Sequence, residues 1–166
     1  MIRSDSAAVK TFWAAFCQQT GVSPDVTYHP RTFSDPRNST VTDEIAELAR
    51  QGKKRGTAHL ALDFEKNQIP QRKPGEYMIV LNVSLEPQCV VRCTNIALTP
   101  FRDVTEEFAA SEGEGDLSLE YWATVHKRYF LKQLAEWDME WDDKLEVVCE
   151  SFELDWPEPP SPRSSP

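Results

Sequence analysis

Glu76-Tyr77-Met78-Ile79-Val80-Leu81-Asn82-Val83 and Gln88-Cys89-Val90-Val91-Arg92-Cys93-Thr94-Asn95-Ile96-Ala97-Leu98 are two apolar runs parted by a short stretch that holds Glu86-Pro87. Runs of this kind, bounded by turn residues, read as strands. So short a connection joins antiparallel neighbours, because a parallel pair needs a crossover of a dozen residues or more. In the second run Val90, Arg92, Thr94 and Ile96 face one way, and Val91, Cys93, Asn95 and Ala97 the other. Pro100 ends it.

Working outward, a run at 57–64 reads as a third strand, separated from the first pair by Pro70 and Pro74-Gly75. A fourth strand spans 145–154, where Leu145, Val147 and Cys149 alternate with charged residues and Val148 breaks the polar face. Helical spacing of Val9, Phe12, Trp13, Phe16 and Cys17 gives a helix over 7–20, stopped by Gly21. Residues 22–40, with Pro24, Pro30 and Pro36, show no period and read as a long loop, a feature often tied to function. A second helix runs from a Thr40 or Thr42 cap to Gln51, with Gly52 past its end. A short helix fits 103–110, and a long one fits 118–137 on the stripe Leu119, Trp122, Val125, Tyr129, Leu134. The order α, α, β, β, β, α, α, β places the chain in the α+β class: a small, partly open antiparallel β-barrel with surrounding helices. One domain covers 1–156; residues 157–166 form a Pro/Ser-rich tail with no apolar anchor, and read as disordered.

The 166 residues suffice for one domain with a real core. No apolar run approaches the ~20 residues that cross a membrane, and the N-terminus lacks a signal-peptide core, so the expected compartment is the cytoplasm. Cys17, Cys89, Cys93 and Cys149 form no CxxC pair. Cys89 and Cys93 share a strand face, yet four residues of strand separate them by ~13 Å, beyond the ~7 Å reach of a disulfide. Reduced buried thiols fit such a compartment, and no Cys/His cluster has metal-ligand spacing. No metal and no cofactor are expected. The net charge is −9, and residues 136–158 hold ten acids against Lys144 alone, so the rest of the chain sums to zero. That balance argues against duplex DNA, which calls for a basic footprint.

The exception is Gly52-Lys53-Lys54-Arg55-Gly56-Thr57, where three cations fall between a helix end and a strand start. Positive charge, mobile backbone and a hydroxyl gather there, a set suited to a phosphate or a polarised carbonyl.

These residues carry a family resemblance. The chain is similar to the ASCH superfamily, in its larger bacterial branch, through Phe33-Ser34-Asp35, Thr42-Asp43-Glu44-Ile45-Ala46 and Gly52-Lys53-Lys54-Arg55-Gly56-Thr57. Glu106-Glu107-Phe108-Ala109, Glu112-Gly113-Glu114-Gly115-Asp116 with Ser118-Leu119-Glu120-Tyr121-Trp122, and Val148-Cys149-Glu150-Ser151-Phe152 continue it in family order, over about 12–154. The resemblance implies a fold like the PUA domain, a small β-barrel that binds RNA. It also implies, from some members, hydrolysis of the acyl amide of N4-acylated cytidine; others are ribonucleases. The implied partners are a modified nucleoside or single-stranded RNA. In the amidohydrolase members a lysine, a threonine three residues on and a glutamate before a helix act together. Here the roles fall on Lys54, Thr57 and Glu112. One extra residue after the glycine leaves Lys53 as the alternative to Lys54, and Glu114 stands as the alternative to Glu112.

Two role assignments stand. Lys54 is the base for a Thr57 nucleophile with Glu112 orienting it, which needs a neutral amine; Lys53 and Arg55 would push it that way. Or Glu112 is the base and a charged Lys54 stabilises the oxyanion. Lys53, Arg55, Tyr28, Arg31, Phe33 and Tyr121 are candidate binding residues. The long loop would supply Tyr28, Arg31 and Phe33 as a lid or nucleobase wall, and Tyr121 would stack on a base. His59 and His126 read as structural histidines, the alternative being acid–base work in an RNA-cleaving site. Trp122 reads as core. The other functional classes are a non-catalytic RNA- or nucleotide-binding module and a single-strand ribonuclease.

Overall fold

The two central runs form a long antiparallel pair in a computed structural model that describes residues 6–33 and 39–158. The elements in chain order are α1 (Ala7–Thr20), β1 (Tyr28–Arg31), α2 (Ser39–Arg50), β2 (Gly56–Leu60), α3 (Ala61–Lys66), β3 (Tyr77–Leu81), β4 (Pro87–Pro100), α4 (Glu106–Ser111), α5 (Leu119–Glu136) and β5 (Glu146–Trp156). A 3₁₀ turn at Phe101–Asp103 precedes α4. One five-stranded sheet has the order β1-β3-β4-β5-β2. Every pairing is antiparallel except β1 with β3. The α+β class stands. The sheet is not closed into a barrel, because β1 and β2 remain its two edges.

Other elements differ from the sequence reading for identifiable reasons. The run at 57–64 leaves the sheet after Leu60, whose partner Val147 lies at the start of β5. With no partner strand beyond, Ala61-Leu62-Asp63-Phe64-Glu65-Lys66 takes the helix its residues favour. The loop at 22–40 contains β1, hidden by Pro30; an edge strand tolerates a proline because one side of its backbone needs no partner. Helix α2 begins at Ser39, so Thr42 lies within its first turn, buried, and is not a cap. Thr105 caps α4, its hydroxyl accepting from the Phe108 amide, so that helix starts later than expected. In α5 the inward positions are Trp122, His126, Phe130 and Leu134, four residues apart, while Tyr129 is exposed. The tail beyond Glu158, and Ser34-Asp35 of the family pattern, lie outside the described residues.

Three apolar clusters hold the layers. On one sheet face α1 packs Val9, Trp13 and Phe16 against Tyr77, Ile79, Leu81 and Val90. Further along, Trp122, Phe130 and Leu134 cover Ala58, Leu60, Val147 and Cys149. On the opposite face α2 sets Ile45, Ala46 and Ala49 against Met78, Val80, Cys89, Val91 and Phe152. Strand alternation puts His29, Arg31, Thr57, His59 and Glu150 on this second face. The α2 face is therefore apolar under the helix and polar beyond it.

Phe16 is fully buried and touches Trp13 and Tyr77. Phe16→Ala is expected to cost ~3–5 kcal/mol through lost transfer energy and the cavity left behind. Urea unfolding followed by fluorescence measures it; a loss below ~1 kcal/mol would mean that α1 contributes little to the core.

Candidate functional site

Helix α2 ends in a Schellman motif: Gly52, at φ +69, lets the Lys53 amide reach the Leu48 carbonyl at 2.9 Å and its own amide reach Ala49 at 2.9 Å. The chain then runs extended into β2. The Arg55 amide donates to the Ser111 carbonyl at 2.7 Å, and its carbonyl accepts from the Phe152 amide at 2.9 Å. This ties the cationic turn both to β5 and to the loop after α4. Gly113 makes the approach possible: at φ +74, a Cβ there would stand 2.6 Å from the Lys53 carbonyl oxygen. Extended backbone alternates its side chains, so Lys54 turns inward while Lys53 and Arg55 stay exposed.

Lys54 is 1% exposed and Glu112 2%. The Lys54 Nζ donates to Glu112 Oε2 at 2.8 Å and to Glu114 Oε1 at 2.6 Å, so both glutamates of the Glu112-Gly113-Glu114 loop engage one ammonium. Glu112 Oε1 accepts from the Trp122 indole at 2.8 Å and lies 3.3 Å from His126 Nε2. His126 Nδ1 lies 2.9 Å from the Trp122 carbonyl, and its ring stacks on Trp122. His126 is thus placed between the Glu112 carboxylate and the Trp122 carbonyl. Burial alone would favour a neutral Lys54, but Glu112 and Glu114 outweigh it and hold the amine above its ordinary value. Burial likewise opposes the Glu112 carboxylate, yet Lys54 and then His126 bring it down to about 2. The turn cations do not free Lys54 of its proton; this resting site is a buried ion pair.

Thr57 is 7% exposed, and its hydroxyl has no hydrogen-bond partner among the described residues. Its cross-strand neighbour is Glu150, which takes both arms of the buried Arg72 guanidinium, at 2.6 and 2.5 Å. His59 follows on the same face of β2, edge-on to Phe64. Burial, then the Arg72 charge, push its imidazole down to about 3, so it is neutral at physiological pH. Among the described residues no three His, Cys, Asp or Glu side chains group as metal ligands, and no helix is long and apolar enough to cross a membrane.

The remaining expected residues divide. Phe33 is buried, stacked on Phe152, with Lys54 Nζ 5.1 Å from its ring centre, so it walls the ammonium. Arg31 lies on the α2 face. Tyr28 does not join them: strand alternation turns it to the other face, where it stacks on Trp13 at 4.4 Å. Lys53 and Arg55 line a separate shallow depression of about 330 Å³ with Gly52, Ala110, Gly113 and Leu117. Tyr121 is 38% exposed and packs along Gly115, where a Cβ would collide with its ring. Sequence reasoning passed over Trp122, Arg72 and Glu150 as polar partners. A buried indole N–H needs an acceptor, which was a usable signal for Trp122. An acid beside Val148 and Cys149 in a core strand was one for Glu150; Arg72, between two prolines in a loop, carried none.

The ASCH domain family matches residues 32–154, and the chain belongs to that family, whose domains are RNA-associated. The structure is similar to the ASCH domain from Lactobacillus crispatus JV V101, with a TM-score of 0.82 at 23% identity over 93% of this chain and 98% of that one. It is also similar to a protein from Enterococcus faecalis V583, with a TM-score of 0.79 at 26% identity over 89% of this chain and 88% of that one. No curated protein matches the sequence.

Two outcomes follow for the ion pair. Lys54→Met strands two carboxylates and is expected to cost ~3–5 kcal/mol in chemical unfolding, with part of the loss recovered in Lys54→Met/Glu112→Gln. Losses that add across Lys54→Met, Glu112→Gln and the double variant would show that the pair is not coupled. The Glu112 carboxyl is lowered on folding, so its stabilisation is complete above the ordinary value of 4.5 and drains away as pH falls toward about 2. Stability of Glu112→Gln should therefore change less over that interval than that of the parent, as acid titration by circular dichroism reads.

Proposed function

We propose that this ASCH-domain protein is an amidohydrolase that removes the acyl group from an N4-acylated cytidine, met as a modified nucleoside or within single-stranded RNA. The observation that supports this reading best is a buried ammonium, clamped by two carboxylates, three residues before a threonine hydroxyl that has no partner among the described residues. An ammonium desolvated in this way is a strong electrostatic partner for an oxyanion.

The chemistry follows the second of the two role assignments. Thr57 Oγ attacks the acyl carbon, and its proton passes to Glu112. Lys54 stabilises the oxygen anion of the tetrahedral intermediate. A carboxylate at about 2 is a weak base while it holds Lys54. As the oxyanion forms it competes for the ammonium, and Glu112 gains proton affinity when the proton arrives. Glu112 then protonates the departing N4 amine, the C–N bond breaks, and cytidine leaves. Water then attacks the acyl-threonine and passes a proton to Glu112, which returns it to Thr57 Oγ as the acyl C–Oγ bond breaks and the carboxylic acid is released. Trp122 and His126 keep Glu112 aimed throughout. Phe33 supplies an apolar wall beside the ammonium. Of the two histidines on which a ribonuclease reading would draw, His59, at about 3, holds no proton to donate near neutrality.

Purified protein is expected to release cytidine from N4-acetylcytidine, with or without chelator. Thr57→Ala should lower turnover to background, and Lys54→Met should lower kcat by ~100-fold or more. Full turnover in Thr57→Ala would discard the nucleophile. No turnover, with RNA binding that weakens on raising salt, would favour a binding module instead.

A further inference from the structure

Arg72 and Arg31 have no part in that chemistry, and they stand at the polar end of the same sheet face. Strand pairing sets His29 opposite Met78 and Arg31 opposite Val80 on β3, and Thr57 opposite Glu150 on β5. The acids near them are committed. Glu150 binds Arg72 through both oxygens. Glu76 accepts from the Lys73 amide at 3.0 Å and meets His29 Nε2 at 3.2 Å. Arg31 is the surplus cation: it donates to the Pro30 carbonyl at 3.0 Å and has no carboxylate partner among the described residues. Its half-buried guanidinium is held below the ordinary arginine range, first by burial and then by the charge of Arg72. Arg72 grips Glu150, the cross-strand neighbour of Thr57, so this arginine stands on the Thr57 side of the face, where its charge also depresses His59.

A half-buried guanidinium with spare donors is matched by a planar or tetrahedral oxyanion, and phosphate fits its fork. We infer that Arg31, backed by the Arg72–Glu150 pair, binds a phosphate of the substrate, so that the protein acts on an acylated nucleotide, free or within a strand, in preference to the bare nucleoside. This rests on the amidohydrolase reading for its reaction, but not for its binding. Arg31 is the residue that touches the phosphate. Arg72 is a positioning residue, its fork already taken by Glu150.

The test uses the full chain and two readouts. In the first, cytidine and cytidine 5′-monophosphate are titrated by calorimetry, with inorganic phosphate as competitor. The monophosphate should bind about tenfold tighter or more, phosphate should displace it, and Arg31→Gln should bring the two ligands level. Arg31→Lys, which keeps the charge and loses the fork, should keep an intermediate preference. In the second, kcat/KM is compared for N4-acetylcytidine, its 5′-monophosphate and a short single-stranded RNA carrying the same base. The ratio of monophosphate to nucleoside should exceed about tenfold and collapse in Arg31→Gln. A higher value for the RNA than for the monophosphate assigns the phosphate to a strand; the reverse assigns it to a free nucleotide. Binding preference without turnover of any substrate keeps the phosphate site and removes the amidohydrolase. Turnover of the nucleoside with no preference in either readout keeps the amidohydrolase and overturns the phosphate site.

Discussion

The burial of one lysine governs the architecture of this site. Lys54 carries a charge into the interior, and an unpaired ammonium there would cost several kcal/mol. Glu112 and Glu114 meet it, and Glu112 is in turn shared with Trp122 and His126. Satisfying a single cation thus requires the end of α2, the loop after α4 and the first turns of α5 to meet at one point. The main chain makes the same meeting through Arg55, Ser111 and Phe152, with Gly113 giving up a side chain so that the two loops can touch. An ion pair of this kind is weak grounds for stability and better grounds for specificity, since any misplacement of the three segments leaves a buried charge without its partner.

A second buried pair, Arg72 with Glu150, repeats the device a short way across the sheet. Between the two pairs lie Thr57 and His59, neither side chain hydrogen-bonded to a described residue. The polar end of the face is thus ordered by saturated charges around unsaturated neutral groups. Such a contrast suits chemistry, because rigid charges act on a reacting group without reorganising themselves. The sheet does not close: β1 and β2 are its opposite edges, with β3, β4 and β5 between them, and Arg31 on one edge and Thr57 on the other share the α2 face.

Much of the fold was legible from periodicity. Helix α1 has the expected limits, and β3, β4, β5 and α5 begin and end within a few residues of the expected ones. These segments are long and strongly patterned, so local spacing outweighs competing signals. The misses share one cause. Pro30 concealed β1, whose pairing with β3 is decided by its neighbour, and Ala61–Lys66 became helix because β5 runs only one residue past Val147. Of the expected α5 stripe Trp122 and Leu134 do face inward, but Phe130 and His126 join them while Tyr129 is exposed. Steps of three and four both fit a helix, and only the packing partner chooses between them.

The sequence by itself determined the α+β class, the family pattern and a cationic turn followed by a threonine. These are local properties, written in spacing and composition. Tertiary structure alone decided that Lys54 rather than Lys53 enters the core, that Glu112 and Glu114 both hold it, and that His126 joins the network rather than lying beside a stripe. It also drew Phe33 to the ammonium, sent Tyr28 to the other face, and paired Arg72 with Glu150 across 78 positions of chain. The reason is physical: a side chain's charge state and partners follow from which distant segments exclude water around it, and no local pattern specifies them.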